Sequence, residues 1–251
     1  MGNKEVFNEF VEEARKDQNI IGFFLSGSRG KNRETKFSDY DIEIIVKNKA
    51  SKAYKKKYEK RNKFPFGFTV LSVSEFRQHA KIGGSSEWDK ASYTHVKAII
   101  DKTGEIQKLI NEKGRIPKSK IKNYVAGRLD GYINYLYRSL KCFRDGEYVG
   151  ARLEASRSIN FFLDIIFGLE ERVTPYYKYL EWELEKHPLK KFPVKSKELI
   201  KMLLKVLEDA DIKTQQKLFN LVEKVFRKNY SYVFDNWEAS SIKLIKSFKK
   251  V

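Results

Sequence analysis

The chain of 251 residues contains one cysteine, Cys142, and only three histidines. A single cysteine excludes an intramolecular disulfide and a cysteine-based metal site. The three histidines, His79, His95 and His187, are scattered and fit no metal-ligand spacing. We therefore interpret Cys142 as a small core residue and the histidines as incidental to function.

Long hydrophobic runs are also missing. The most apolar stretch, INFFLDIIFGL at 159–169, is too short to cross a bilayer and contains Asp164. No charged-then-apolar signal segment opens the sequence. Hydrophobic residues make up 41% of the chain and aromatic residues 14%, which is a globular composition. These features predict a cytoplasmic protein with a sizeable core and no membrane partner.

Acidic residues are scarce relative to basic ones. Lys and Arg number 51 against 33 Asp and Glu, which gives a formal charge of +18. Such an excess favours a polyanionic partner, a nucleotide or a nucleic acid, although a lysine-rich proteome would produce it too. The densest run, residues 47–64, contains nine Lys or Arg. It could guide an anionic substrate, hold an RNA backbone or simply form a solvated face.

The two halves of the chain differ in their apolar pattern. Before Pro117, strand-like and helix-like segments alternate: strands at 19–27, 40–46, 66–73 and 95–101, with helices at 4–17 and 105–112. After Pro117 the periodicity is helical only: 118–144, 149–168, 174–186, 195–209, 213–229 and 236–249. The sequence therefore predicts an α/β domain over residues 1–115, a small mixed sheet flanked by helices. An all-α helical-bundle domain is predicted over residues 116–251.

Three carboxylates alternate with apolar residues on the second predicted strand. Asp39, Asp41 and Glu43 are spaced by two, so their side chains share one face of the strand. An unpaired acidic cluster beside a core is costly, and a bound divalent cation would resolve the repulsion. Mg²⁺ suits the position because it takes one or two carboxylates and completes its shell with water and phosphate oxygens. A solvated strand start is the structural alternative.

A Gly27-Ser28 pair closes the preceding strand. Gly27 lets the backbone turn and approach a ligand closely, and a helix starting at Ser28 would offer free N–H groups to phosphate. Arg29, Lys31 and Arg33 add positive potential. Gly-Ser pairs are common in turns, but this pair and the acidic strand together predict a phosphate site with one or two Mg²⁺ ions.

The order Gly27-Ser28, ten residues, then Asp39-Tyr40-Asp41 resembles the signature of the DNA polymerase beta-like nucleotidyltransferase superfamily. The likeness is nearest to the kanamycin-type antibiotic nucleotidyltransferases, whose Gly-Ser-x-Gly turn is matched here by Gly27, Ser28 and Gly30. It covers about residues 1–112, and the helical half also resembles the second domain of bacterial and archaeal members of unassigned substrate. The resemblance implies transfer of a nucleoside monophosphate from an NTP, with Asp39 and Asp41 as catalytic metal ligands.

The same resemblance extends to further residues. It implies that the nucleotide lies between the two domains and that a helical-domain lysine, here Lys141, reaches the triphosphate. Gly27 and Ser28 would hold phosphate, and Arg29 would balance its charge.

One departure concerns the third carboxylate that the superfamily places on the next core strand. The segment PFGFTVLSV at 65–73 has no acid, and Thr69 lies about where one is expected. The general base is therefore left open among Glu43, Glu75 and an acid of the helical domain. Within that domain Glu154 is our candidate, ahead of Asp130. An ion pair with a neighbouring arginine is the structural alternative for Glu154.

The predicted function is Mg²⁺-dependent transfer of NMP, AMP from ATP, to a hydroxyl of a small molecule of the aminoglycoside kind. Two alternatives keep parts of this prediction. In the first the acceptor is RNA or tRNA, which the basic charge permits. In the second the protein is a nucleotide-binding module that has lost catalysis, which the missing third acid permits. The acceptor, the preferred NTP and the oligomeric state stay open.

Overall fold

The computed structural model describes residues 2–249. The chain divides into two compact units, Met1–Ile116 and Pro117–Val251. The first unit combines a four-stranded sheet with helices, and the second contains helices without strands in its described part. The predicted fold class, an α/β domain followed by an all-α domain, is confirmed.

The sheet of the first unit is mixed. Its strands are β1 (Ile20–Leu25), β2 (Tyr40–Val46), β3 (Phe66–Ser72) and β4 (Ala98–Asp101), in the spatial order β3-β2-β1-β4. β1 is antiparallel to β2 and β4, whereas β2 and β3 are parallel. The helices are α1 (Asn3–Lys16), α2 (Gly27–Gly30), α3 (Ser51–Glu59), α4 (Val73–Gln78) and α5 (Glu105–Lys113), with 3₁₀ segments at Asn48–Ala50 and Glu87–Tyr93.

Both faces of the sheet are covered, and the two central strands, β1 and β2, are buried at nearly every position. Phe23 points into a cluster formed with α1 and α3, and its neighbour Phe24 points into a second cluster formed with α4 and α5. Both rings are fully buried. The alternation follows from the two-residue period of a strand, which sends successive side chains to opposite faces.

Short elements account for the differences from the sequence prediction. β2 has the predicted bounds, but β4 begins only at Ala98, after His95 at a positive φ of 63°. Helix α4 and the 3₁₀ segment Glu87–Tyr93 were not predicted, because six or seven residues carry too little periodicity. Helix α4 is instead fixed locally by a capping box of Ser72 and Glu75.

The helical unit contains α6 (Lys118–Arg144), α7 (Tyr148–Gly168), α8 (Leu180–Lys186), α9 (Ser196–Asp209), α10 (Ile212–Asp235) and α11 (Ala239–Ser247), with a 3₁₀ turn at Tyr177–Tyr179. Helices α6 and α7 pack against each other, with Tyr132 against Phe162 at a ring distance of 5.6 Å. Helix α10 continues beyond its predicted end through a kink at Tyr230. None of the described helices is both long and apolar enough to span a bilayer.

A buried lysine in the first unit gives a testable pH dependence. Lys113 is 5% exposed, and its ammonium donates to the His79 carbonyl and lies 4.7 Å from the Phe76 ring centre. Burial, with the nearby charges of Lys90 and Lys81, lowers the pKa of Lys113 to about 8. The unfolded chain therefore binds more protons between pH 8 and 10.5, and stability rises with pH across that window.

We expect this rise in the free energy of unfolding to be smaller by roughly 2 kcal/mol in Lys113→Met. One pKa unit corresponds to about 1.4 kcal/mol, and solvent screening reduces the total expected from the lowered pKa. Urea denaturation at pH 8 and pH 10 measures the rise. Lys108→Met is the matched control, because Lys108 lies exposed on the same helix and its loss should leave the wild-type rise unchanged. Equal pH profiles for wild type and Lys113→Met would contradict the assignment.

Candidate active site

The Gly-Ser turn and the acidic segment lie at the same end of the two central strands, β1 and β2. Because β1 and β2 are antiparallel, with Leu25 opposite Ile42, the end of β1 meets the start of β2. The backbone N–H of Ser26 donates to the Asp41 carbonyl at 2.9 Å and fixes this junction. The sheet thus brings together the two halves of the motif that are ten residues apart in sequence.

Gly27 is in direct contact with the acidic strand. Its φ is +57°, and a Cβ built on it would lie 2.0 Å from Oδ2 of Asp41. Only glycine allows this approach of backbone to carboxylate. At the other end of the turn, a Cβ on Gly30 would lie 2.1 Å from the Leu25 carbonyl oxygen. The turn is therefore packed against both the strand it leaves and the carboxylate it faces.

The turn is a single helical turn that begins at Gly27, one residue earlier than the sequence suggested. The backbone N–H groups of Gly27, Ser28 and Arg29 donate no hydrogen bond within residues 2–249. Ser28 itself is 7% exposed. The arrangement leaves three adjacent donors beside Asp41, which is the form of a backbone anion cradle.

The three acids of the strand have graded exposure. Asp39 precedes β2 and is exposed, Asp41 is half-buried, and Glu43 is buried. Burial, together with the negative charge of Asp39, raises the pKa of Asp41. Within the described chain, neither the Asp39 nor the Asp41 carboxylate has an ion-pair or hydrogen-bond partner. Two uncompensated carboxylates beside free N–H donors fit a magnesium-bound polyphosphate.

The donor set for a metal consists of two carboxylates. No group of three or more His, Cys, Asp or Glu able to hold a metal ion occurs in residues 2–249. Mg²⁺ commonly keeps several waters and is bound through one or two carboxylates plus substrate phosphates. Asp39 and Asp41 therefore fit Mg²⁺ with a nucleotide, and they do not fit an all-protein metal cage.

Glu43 follows Asp41 by two residues on β2 and, unlike the two aspartates, it is buried. It is 6% exposed, its Oε2 has no hydrogen-bond partner, and burial with the charges of Asp89 and Asp41 raises its pKa to about 8. Its register partner on β3 is the exposed Thr69, so the adjacent strand supplies no acid there. At neutral pH Glu43 is a buried carboxylic acid rather than a free base.

Asp89 is the acid near the site that the sequence did not indicate. It lies on the 3₁₀ segment Glu87–Tyr93 and pairs with Nε2 of His79 at 2.8 Å. Its charge contributes to the raised pKa of Glu43. No spacing rule could connect residues so far apart in the chain, because only the folded sheet face brings them together.

Glu75 is occupied by a structural role. Its carboxylate accepts from the Ser72 backbone N–H at 2.7 Å in the capping box and pairs with Lys55 at 2.5 Å. These contacts hold the pKa of Glu75 at about 2. A carboxylate so strongly stabilised in its charged form is a poor proton acceptor.

Arg29 lies on the turn itself. Its Nε and Nη2 donate to the carbonyls of Asp39 and Ser38 at 2.8 and 2.9 Å, and its guanidinium stacks 3.9 Å from the ring centre of Tyr40. Arg29 thereby ties the turn to the segment that enters β2.

The predicted residues of the helical unit are placed as follows. Lys141 is exposed near the end of α6 and forms no ion pair within residues 2–249. Glu154 on α7 pairs with Nη2 of Arg138 at 2.5 Å. Asp130 accepts from the Trp237 indole at 2.9 Å.

The basic run at 47–64 contains helix α3, and some of its cations form ion pairs within the first unit. Lys57 and Arg61 both pair with Glu13, at 2.7 and 2.6 Å. Both cations also lie over the Tyr58 ring. Lys55 of the same run pairs with Glu75, whereas Lys52, Lys56 and Lys60 are exposed.

Comparisons with known proteins found a family match to part of the chain and similar solved structures. The family model described as streptomycin adenylyltransferase matches residues 2–71. Among solved structures, a nucleotidyltransferase-like protein from Exiguobacterium sibiricum 255-15 is similar at 10% identity, with 96% of this chain and 86% of that chain covered and a TM-score of 0.47. No curated protein matches the chain.

The matched residues 2–71 contain the Gly27-Ser28 turn and the Asp39–Asp41 segment. This match supports a DNA polymerase beta-like nucleotidyltransferase relationship for the first unit. Its relationship is to the aminoglycoside nucleotidyltransferases, as the sequence predicted.

Proposed function

We propose that the protein is a Mg²⁺-dependent nucleotidyltransferase that transfers AMP from ATP to a hydroxyl of a small-molecule acceptor, of the aminoglycoside kind. The observation that carries the proposal is the pair of partnerless carboxylates, Asp39 and Asp41, in contact with the Gly27 turn. Within the described chain, neither these carboxylates nor the N–H groups of Gly27, Ser28 and Arg29 have a partner. A metal ion would neutralise the carboxylates, and the polyphosphate bound to it would accept hydrogen bonds from these N–H groups.

In the proposed reaction the acceptor oxygen attacks the α-phosphorus, and the bond from that phosphorus to the pyrophosphate oxygen breaks. Asp39 and Asp41 would hold the metal, which supplies neutralisation of the charge on the phosphates. The N–H groups of Gly27 and Ser28 bind phosphate oxygens, with Arg29 balancing their charge nearby. Lys141 is proposed as a further triphosphate contact, carried over from the resemblance.

The acceptor hydroxyl must give up a proton. Glu75 is held by its cap, and Glu43 is buried and protonated at neutral pH. Glu154 therefore remains the proposed base, although its present partner is Arg138. In this proposal the hydroxyl proton passes to the Glu154 carboxylate and then to solvent.

The decisive experiment incubates the full chain with α-labelled ATP, Mg²⁺ and separate pools of aminoglycosides, other polyhydroxylated small molecules, and tRNA. We expect labelled AMP on a small acceptor together with stoichiometric pyrophosphate, and no transfer when EDTA is present. Label on tRNA would move the acceptor to RNA, and binding that falls steeply with salt would accompany it. ATP binding without pyrophosphate release in any pool would favour the binding module and contradict catalysis.

A further inference from the structure

Lys31 follows the Gly27–Gly30 turn directly, yet its side chain is turned inward. The residue is 5% exposed. Its ammonium donates to the carbonyl oxygens of Ala91, Ser92 and Thr94 at 2.9, 3.3 and 2.5 Å, and to the Thr94 hydroxyl at 3.0 Å. An ammonium has three protons to donate, so these oxygens leave it none for a phosphate.

The segment that Lys31 contacts, residues 91–94, is packed against the core of the first unit. Tyr93 within it is 1% exposed and packs against Phe76 and Phe24 at ring distances of 5.9 and 6.3 Å. Thr94 further closes the segment by donating its hydroxyl to the Ala91 carbonyl at 2.9 Å. Lys31 therefore joins the glycine turn to the core through charged hydrogen bonds, which are stronger than neutral ones.

The turn needs such a tie for a physical reason. Its N–H groups can only bind phosphate if they stay beside Asp41, and a single helical turn has little stability of its own. Arg29 fixes the turn on the side of β2, through the carbonyls of Ser38 and Asp39. Lys31 fixes the end of the same turn to a different segment, residues 91–94.

We propose that Lys31 is a positioning residue for nucleotide binding: its buried ammonium holds the Gly27–Gly30 turn in place and makes no contact with the substrate. This inference rests on the proposed function for its consequence, but the tie itself is a property of the folded chain. It assigns to Lys31 a role different from the positive potential that the sequence suggested.

Lys31→Met removes the donors and keeps the length of the side chain. The matched control is Lys102→Met, because Lys102 also donates to backbone carbonyls, those of Ala14 and Asp17, at the opposite end of the sheet. Thr94→Val is a milder variant that removes one acceptor, in case Lys31→Met folds poorly. All three are compared by thermal unfolding, by amide hydrogen exchange and by binding of ATP with Mg²⁺.

We expect Lys31→Met to raise the Kd for ATP with Mg²⁺ by about tenfold or more, because small displacements of preorganised groups are costly. Amide exchange should accelerate at residues 30–33, whose N–H groups donate to carbonyls of residues 26–29. Lys102→Met should leave both readings at the wild-type value, and Thr94→Val should change them in the same direction by less.

The outcomes separate the two levels of inference. If wild type binds no ATP, the proposed function fails, while amide exchange at residues 30–33 still decides whether Lys31 holds the turn in place. If Lys31→Met folds with unchanged exchange and unchanged ATP binding, the inference is overturned. It is also overturned if Lys102→Met weakens ATP binding equally, since a general loss of stability would then explain both variants.

Discussion

Asp41→Asn is expected to remove nucleotide transfer while the protein stays folded. The substitution keeps the size of the side chain but takes away the negative charge that would hold the metal. We expect at least about a hundredfold loss in transfer rate, since even outer-shell partners of a metal ligand typically account for about 10- to 100-fold. Asp39→Asn should behave in the same way, because its carboxylate completes the pair.

The folded state should not suffer from this change. Asp41 is half-buried with a raised pKa, so its charge is a cost to the metal-free protein at neutral pH. Thermal unfolding should therefore show an unchanged or higher midpoint for Asp41→Asn. Glu34→Gln is the control, since Glu34 is an exposed acid in the loop between the turn and β2. Transfer that survives in Asp41→Asn would exclude the proposed metal site.

Changing each of two glycines of the turn to alanine should have different consequences, one mainly for nucleotide transfer and the other mainly for stability. In Gly27→Ala the new Cβ meets Oδ2 of Asp41, so the carboxylate that we propose as a metal ligand must move and transfer should be lost. In Gly30→Ala it meets the Leu25 carbonyl, which is backbone and cannot move alone. We expect Gly30→Ala to lower the free energy of unfolding by roughly 3 kcal/mol, the upper end of typical overpacking costs.

The effect of Gly27→Ala on stability should be nearer 1 kcal/mol, about the cost of a left-handed conformation for a residue with a Cβ. Gly83→Ala isolates that cost, because Gly83 also has a positive φ but no atom within 4 Å of an added Cβ. Urea denaturation and the transfer assay on all three variants check the pattern. Full activity in Gly27→Ala would show that the turn does not adjoin the metal-binding carboxylate.

Much of the fold was readable before the structure was known. The bounds of β2 and α6 agree with the predicted ones, since long runs of consistent period dominate local propensity. The Gly-Ser turn and the acidic segment were likewise found from spacing, because they lie within one β-turn-β unit. Elements that were missed, such as α4, are short and fixed by caps rather than by periodicity.

The roles of single charges could not be read in the same way. Glu43, Glu75 and Glu154 were equivalent candidates in sequence, but the structure gives them a buried, a capping and an ion-paired environment. Arg29, within the turn, and Lys31, directly after it, were predicted to add positive potential to the phosphate site. Both instead donate to backbone carbonyls of the first unit.

The sequence by itself was enough to recognise the nucleotidyltransferase motif, because a glycine turn and alternating aspartates are local patterns. Their geometry follows from the period of a strand. Only the tertiary structure decided which carboxylates remain without a partner. That property depends on burial and on charges from distant segments such as Asp89, which approach Glu43 only when the 3₁₀ segment packs on the sheet. A partner's distance in space, and not its distance along the chain, sets a pKa.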